Sequence, residues 1–182
     1  NRFLGLTVLD DGVVVVGYVD NGGNENMLAA KLSKTDGSFI AAFDGDGMVM
    51  RDVGAGRDDR ALDAVNDGAS VYLAGYVNNA ATNDDMAALK LDATNGAFQN
   101  QFVADVSDYV DAAGAGVAGN NDRAVAAALS GSNLYLGGYA YDDVEKNMAV
   151  VNLNPATFAL DATFGTAGYV VEDMAAYADA TG

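Results

Sequence analysis

The sequence of 182 residues predicts an all-β fold in which a four-stranded antiparallel unit of about 60 residues occurs three times. Internal repetition supports this prediction, because several kinds of marker residue keep the same order three times along the chain. Composition supports it as well, since the 22 Gly and the many Asp residues favour tight turns, while Val and Tyr favour strands. Finally, no window shows helical periodicity over three turns.

The marker residues define the repeat. An Arg preceded by Asn or Asp, a Gly-Tyr pair, a Met and two Phe residues each recur at intervals of about 60 residues. In chain order they are Arg2, Gly17-Tyr18, Met27, Phe39 and Phe43; then Arg60, Gly75-Tyr76, Met86, Phe98 and Phe102; then Arg123, Gly138-Tyr139, Met148, Phe158 and Phe164. Independent markers in one constant order exclude coincidence, and they predict repeats at residues 1–58, 59–121 and 122–182.

Each repeat is predicted to hold four short strands, one after the Arg, one with the Gly-Tyr pair, one opening at the Met and one after the Phe residues. The first strands are Phe3–Leu9, Ala61–Val65 and Ala124–Leu129, and the second are Val13–Val19, Val71–Val77 and Leu134–Ala140. The third are Met27–Leu32, Met86–Leu91 and Met148–Leu153, and the fourth are Met48–Val53, Tyr109–Ala113 and Tyr169–Asp173.

A unit of this length and strand number is typical of a β-propeller blade, in which radial repetition protects the sheet edges. Propellers typically close with about 4–8 blades, so three blades leave a ring open. We therefore expect either a segment of a longer propeller or self-association, in which two copies complete a six-bladed ring. An open arc would expose apolar faces on both terminal blades and drive association with a copy or a protein partner.

Charge and missing residue types exclude several function classes. The formal net charge is −17, which excludes nucleic-acid binding because that depends on Lys and Arg displacing counterions. The chain has no His and no Cys, which excludes a Ser-His-Asp triad, thiolate chemistry and His-ligated metals within it. No apolar run reaches the ~20 residues of a membrane helix, so no membrane insertion is expected. Because the chain begins at Asn1 without a signal-like stretch, we expect a processed or excised segment.

The segment Asn152–Val171, which reads NLNPATFALDATFGTAGYVV, resembles the bacterial delta-60 repeat. That family joins a DGSLD-SFG--G-V pattern to a DDRA-A----DGK--V-G pattern. The matching pieces are Leu160–Gly165, Asp58–Ala61, Val13–Gly17, Leu73–Gly75 and Leu136–Gly138. The middle repeat departs from the family, with Phe102-Val103-Ala104-Asp105 in place of SFG. The resemblance implies a β-propeller-type repeat protein that is secreted or at the cell surface, and it implies no specific activity.

The recurring Met, Phe and Arg residues have predicted structural roles. The Met side chains open apolar strands and are expected in the core, and the Phe pairs suit packing between blades. For Arg2, Arg60 and Arg123, the structural interpretation is a fork of hydrogen bonds to loop carbonyls or to an Asp of the neighbouring blade. The functional alternative is an Arg ring that recruits an anionic ligand. Repetition in every unit favours the structural role, because a binding site usually breaks the symmetry.

Two acidic loops are candidates for calcium. Asp44–Gly47 begins like a calcium loop, and Asp20–Glu25 is rich in oxygen donors. An EF-hand loop continues to a Glu at its twelfth position, where this chain has Ala55, so the sequence favours a turn at Asp44–Gly47. No metal ligand and no cofactor is predicted, with diffuse calcium binding by the acidic surface left as an alternative.

Paired carboxylates can catalyse glycoside hydrolysis. The candidate pairs are Asp58/Asp59, Asp84/Asp85 and Asp142/Asp143. Adjacent side chains point apart on extended backbone, and we expect these pairs in solvated loops that do not raise a pKa, so no catalytic residue is predicted. For sugar binding the candidate is Tyr141 with Asp142 and Asp143.

The sequence thus favours a non-catalytic structural or recognition module over an enzyme. The alternative is a propeller that binds or cleaves polysaccharide with an acidic pair facing a central channel. The acidic residues without a counterpart in the other repeats are Asp105, Asp108, Asp111 and Glu145, and an outer-loop position for them would count against this alternative.

Overall fold

The computed structural model describes residues 1–79, 83–106, 121–141 and 145–173. These residues form three four-stranded antiparallel sheets and no helix. The described residues therefore contain no helix that is long and apolar enough to cross a membrane. Sheet 1 contains β1 (Arg2–Leu9), β2 (Gly12–Asp20), β3 (Glu25–Leu32) and β4 (Met48–Arg51). Sheet 2 contains β5 (Asp59–Asn66), β6 (Ser70–Asn79), β7 (Asn83–Asp92) and β8 (Phe98–Ala104). Sheet 3 contains β9 (Arg123–Ser130), β10 (Asn133–Tyr141), β11 (Lys146–Leu153) and β12 (Tyr169–Glu172).

Each sheet is a meander whose strands are hydrogen-bonded in chain order, which confirms the all-β prediction. The predicted fourth strand of the middle repeat is wrong. Tyr109–Ala113 lies outside the described residues, and β8 takes the fourth position in sheet 2. In sheets 1 and 3 a turn with left-handed glycines, among them Gly47 and Gly168, precedes the edge strand. The stretch from Phe98 to Ala104 has no glycine, so the backbone runs straight into the edge strand.

The Gly of each Gly-Tyr pair is required by a close approach of two backbones. Each first strand has a register shift just after its Arg, typical of a β-bulge. At all three glycines an added Cβ atom would overlap a main-chain carbonyl oxygen. The overlaps are Gly17 with Arg2, Gly75 with Arg60 and Gly138 with Arg123. The Gly of the Gly-Tyr pair therefore recurs because only a residue without a Cβ atom fits where the two backbones approach.

Apolar side chains between successive sheets form two buried clusters. The cluster between sheets 1 and 2 includes Val14, Val16, Met27, Phe43, Val71, Leu73, Leu89 and Leu91. The cluster between sheets 2 and 3 includes Tyr72, Met86, Leu134, Leu136, Val151, Leu153 and Phe158. Strand β5 packs against β1, β2 and β3, and β9 packs against β5, β6 and β7, so the first strands of successive sheets are neighbours. Burial of these faces contributes ~25 cal/mol per Å² of apolar surface.

The predicted core positions are only partly correct. Met27 and Met86 are buried, but Met148 is 40% exposed because it lies on the side of sheet 3 that faces away from sheet 2. Phe43 is buried between the first two sheets, whereas Phe39 is 50% exposed. Burial of the marker Met thus depends on whether another sheet covers it.

Candidate functional site

Each junction between sheets holds an Arg side chain against a carboxylate and a Tyr of the preceding sheet. At the second junction, Arg123 of β9 donates hydrogen bonds from Nε and Nη2 to Oδ2 of Asp84 in β7, the Nε bond measuring 2.8 Å. Its guanidinium carbon lies 4.1 Å from the ring centroid of Tyr76. Asp84 also accepts a 2.8 Å bond from Asn78 Nδ2. We call this arrangement of Arg, carboxylate and Tyr the clamp.

The first junction has the same clamp. Arg60 of β5 donates from Nε to Oε2 of Glu25, and its guanidinium carbon lies 4.4 Å from the ring centroid of Tyr18. Burial opposes the charge of both Arg60 and Arg123, but their carboxylate partners outweigh it and raise the pKa of each. The predicted structural role is confirmed for these two residues, with a Glu as well as an Asp as partner. Arg2 differs, because it is exposed and has no hydrogen-bond or ion-pair partner among the described residues.

A lysine makes a second connection across each junction, buried at the first junction and half-buried at the second. Lys31 of β3 is 1% exposed, and its Nζ donates to the carbonyl oxygen of Ala93 at 2.7 Å and to Asp11 Oδ2 at 2.8 Å. Lys90 of β7 donates from Nζ to the carbonyl oxygen of Pro155 at 3.0 Å. The sequence signal for this connection, which was not predicted, is a Lys four residues after the marker Met, inside an apolar strand.

The Asp that precedes each clamp Arg fixes the linker between sheets. Oδ2 of Asp59 accepts the amide hydrogens of Val53 at 2.6 Å and Gly54 at 2.8 Å. Oδ2 of Asp122 likewise accepts the amide of Val106 at 2.6 Å. Burial raises the pKa of Asp59 to about 6.

The expectation that the acidic pairs lie in solvated loops is wrong for three residues, since Asp59, Asp84 and Asp85 are buried within strands. The predicted strands began at Ala61 and Met86, whereas the observed strands begin earlier and include these three Asp residues. The members of each pair nevertheless have different partners. Asp58 accepts the Glu25 amide at 2.9 Å while Asp59 binds the linker, and Asp84 binds Arg123 while Asp85 accepts from Asn79.

Several of the predicted candidate residues for catalysis or sugar binding are not described by the structure. The pair Asp142/Asp143 and the residues Asp108 and Asp111 lie outside the described residues. The amide of Tyr141 donates to Asp122 Oδ1 at 3.1 Å, which ties it to the linker network.

An open polar cavity of about 390 Å³ lies beside the first clamp. It is lined by Asp20, Gly22, Gly23, Asn24, Glu25 and Asp58. Its carboxylates are held in place: Asp20 accepts the Gly22 amide at 2.8 Å, Asp58 accepts the Glu25 amide, and Glu25 binds Arg60. The cavity therefore presents ordered oxygen atoms to solvent.

The second acidic loop, Asp44–Gly47, is a hydrogen-bonded turn. Asp46 Oδ1 accepts the Met48 amide at 2.9 Å, and Asp44 has a positive φ of 56°. Across the part of the chain that the structure describes, no three acidic side chains come close enough together to hold a metal ion.

A comparison of the chain with protein-family models finds no match, and a search among curated proteins finds none either. The resemblance to the delta-60 repeat therefore stays a prediction.

Proposed function

We propose that the chain is a non-catalytic module of the β-propeller type, secreted or at the cell surface, that acts in structural assembly or partner recognition through its end sheets. The secreted placement follows from the delta-60 resemblance. Neighbouring first strands in three meander sheets support the propeller arrangement, because the first strands of propeller blades surround a common axis.

One observation carries the proposal: the outer face of sheet 1, on the side away from sheet 2, is apolar and open. Its exposed members, with the fraction of each side chain exposed, are Phe3 (50%), Leu6 (57%), Val8 (56%), Met48 (37%) and Met50 (52%). The strand register places Leu6 opposite Val15, and Met50 opposite Leu28, on this same side. An apolar surface of this kind marks a protein interaction site.

The corresponding faces of the other two sheets are buried by contact with the preceding sheet. Leu73 of sheet 2 and Leu136 of sheet 3 occupy the position of Val15, two residues before the marker Gly. They are 2% and 0% exposed because the preceding sheet covers them. The outer face of sheet 1 is equivalent in position to these two docking faces, and no sheet formed by the described residues covers it.

The buried carboxylates support a non-catalytic role. Asp59 and Asp122 bind linker amides and Asp84 binds Arg123, so each has a structural partner. The polar cavity beside the first clamp favours saccharide binding as the second candidate, because ordered carboxylate and amide oxygens suit hydroxyl groups. Titration with a panel of acidic and neutral polysaccharides tests it, and a signal lost in Asn24→Ala would support it.

The assembly proposal is tested by light scattering after gel filtration over a wide range of protein concentration. We expect the mass to rise above 18.6 kDa as concentration increases. The Leu6→Ser/Val8→Ser variant should remain at the monomer mass. Val125→Ser is the matched control, since Val125 is 50% exposed on the first strand of sheet 3. Equal masses for wild type and the double variant at every concentration would contradict assembly through this face.

A further inference from the structure

The sequence contains two Asn-Gly pairs, Asn21-Gly22 and Asn95-Gly96. In such a pair the side-chain amide carbon of Asn lies close to the following main-chain nitrogen, and Gly leaves that nitrogen accessible because it has no side chain. Attack of this nitrogen on the amide carbon closes a five-membered succinimide ring, so the pair can modify itself. Both Asn side chains are exposed, but the surroundings of the two pairs differ.

The pair Asn21-Gly22 lies in the open loop between β2 and β3. A Cβ atom at Gly22 would meet no atom within 4 Å, so this peptide has room to rotate toward the Asn21 side chain. The Gly22 amide donates to Asp20 Oδ1 at 2.8 Å, and the Asn24 amide donates to Asn21 Oδ1 at 3.3 Å. A carboxylate therefore faces the proton that must leave, and a donor faces the oxygen on which negative charge develops.

The pair Asn95-Gly96 has such a donor but is held in place. The Ala97 amide donates to Asn95 Oδ1 at 2.9 Å. The Gly96 amide donates to the main-chain carbonyl oxygen of Asp92 at 3.0 Å, a group that takes up no proton at neutral pH. Gly96 is also buried, and a Cβ atom there would lie 2.7 Å from Val49 Cγ2. Packing against sheet 1 thus restricts the movement that the attack requires.

We infer that Asn21 is a self-modification site, at which the Gly22 nitrogen attacks Asn21 Cγ with Asp20 as the base. The N–Cγ bond forms as the Gly22 amide proton passes to Asp20. The Cγ–Nδ2 bond then breaks as Asp20 returns this proton to the leaving ammonia. Water opens the resulting succinimide to aspartate or isoaspartate, so water is the one co-reactant. The site is independent of the proposed assembly function.

The modification changes the loop in two ways. It adds a carboxylate between Asp20 and Gly22, which both line the polar cavity. In the isoaspartate form the main chain is also longer by one methylene group, because it then runs through the former side chain. The loop contacts the linker to sheet 2, since Asn24 Nδ2 donates to the Arg57 carbonyl oxygen at 2.9 Å. Modification therefore alters the charge of the cavity rim and a contact between sheets 1 and 2.

The rates of deamidation at the two pairs test this inference. The intact, folded chain is incubated at neutral pH, and peptide mapping by mass spectrometry follows the loss of ammonia and the gain of water at each Asn. We expect Asn21 to react at least about tenfold faster than Asn95. In concentrated urea, where both pairs lose their surroundings, the two rates should approach each other.

The variant Asp20→Asn isolates the role of the carboxylate. The amide oxygen can still accept the Gly22 hydrogen bond, which keeps the turn, but it cannot take the proton, so Asn21 should react severalfold more slowly. Asp58→Asn, which removes an equal charge from the same cavity, is the matched control and should keep the wild-type rate. Fragment spectra separate modification at Asn21 from modification at the introduced asparagine, and far-UV circular dichroism checks the fold.

Several results would overturn the inference. If Asn95 reacts as fast as Asn21 in the folded protein, or if Asn21 reacts in urea but not in the folded protein, the loop does not promote the reaction. An unchanged rate in folded Asp20→Asn would exclude Asp20 as the base. A faster rate in that variant would mean that the charge of Asp20 repels the deprotonated amide and slows the attack.

Discussion

Arg123 of the third sheet and Asp84 of the second form an ion pair in which the Asp84 carboxylate is buried and the Arg123 side chain is half-buried. The Asp84 side chain is 7% exposed, the Arg123 side chain is 33% exposed, and the ring of Tyr76 lies against the guanidinium. Burial raises the pKa of Tyr76 to about 12, so its ring stays neutral at physiological pH. Arg123 therefore supplies the main compensation for a buried carboxylate and also packs the two sheets together.

Arg123→Ala is expected to lower the free energy of unfolding by about 2 kcal/mol, because among the described residues it leaves the buried Asp84 carboxylate with the Asn78 amide as its one side-chain partner. Arg123→Lys should lose less, since an ammonium keeps the charge but cannot form the fork. Urea denaturation measures both. The control is Arg2→Ala, which removes the equivalent exposed Arg and should change stability by less than ~0.5 kcal/mol. A similar loss in both Ala variants would contradict the role of the clamp.

Gly137 and Gly138 are neighbours in β10 with opposite tolerance for a side chain. A Cβ at Gly138 would overlap the carbonyl oxygen of Arg123, whereas a Cβ at Gly137 meets no atom within 4 Å. Gly138→Ala should therefore lower the unfolding free energy by about 2–3 kcal/mol as the backbones are forced apart. Gly137→Ala should be neutral or stabilising by about 0.5 kcal/mol, because alanine restricts the unfolded chain. Thermal melts of the two variants compare them directly, and equal melting temperatures would refute the close approach.

Asp59 gives the stability of the fold a particular pH dependence. Its pKa is raised to about 6 in the folded state, against about 3.9 in an unfolded chain. Between these values the folded protein holds a proton that the unfolded chain has released, so the unfolding free energy falls as pH rises from about 4 to about 6. We expect lower stability at pH 7 than at pH 5, measured by urea denaturation.

Asp59→Asn should reduce this difference between pH 5 and pH 7. The amide oxygen keeps an acceptor for the linker, and sheet 1 already has Asn1 at the equivalent position, where its Oδ1 accepts the Asp20 amide at 2.8 Å. Asp58→Asn, which removes the same charge at an exposed neighbour, should keep the wild-type difference. The pKa of Asp11 is lowered by a hydrogen bond from Lys31. At Asp67 burial opposes the charge, but hydrogen bonds from Tyr72 and from backbone amides outweigh it and lower the pKa, so both contributions are lost only below about pH 4. Equal pH dependence in Asp59→Asn and wild type would contradict the assignment.

Moderate salt is expected to stabilise the protein. At a net charge of −17 the acidic side chains repel one another, and ion pairs such as Lys31–Asp11, Arg60–Glu25 and Arg123–Asp84 offset this repulsion only in part. At 0.1 M ionic strength the Debye length is about 10 Å, so surface repulsion is screened more strongly than the partly buried clamps. Differential scanning calorimetry with increasing NaCl should show a rising melting temperature. An unchanged or lower value would mean that the carboxylates are compensated locally.

Strand order was predictable because its signals are local. Alternating apolar residues and turn glycines identify β1–β4 in sheet 1 within a few residues of their observed ends. The fourth strand of sheet 2 was predicted too late in the chain. In the other two repeats a glycine turn separates the Phe pair from the edge strand, whereas Phe98–Ala104 has no glycine and is itself the strand. The clamp was anticipated as an Arg bonded to loop carbonyls or to an Asp of the neighbouring blade. Its Tyr and the identity of its carboxylate were not anticipated, since Glu25 lies 35 residues before Arg60 in the chain.

The sequence alone determined the period, the strand composition of each repeat and the positions of the recurring glycines, because these follow from neighbouring residues along one chain. The tertiary structure decided which of three equivalent faces are buried. Met86 and Met148 are the same marker, yet one is fully buried and the other 40% exposed, since only the first is covered by a following sheet. Likewise, only the structure shows that Lys146, which pairs with Tyr141 in the strand register, places its Nζ 4.3 Å from the ring centroid of Tyr139. Repetition in sequence specifies equivalent units, and packing between units makes their surroundings unequal.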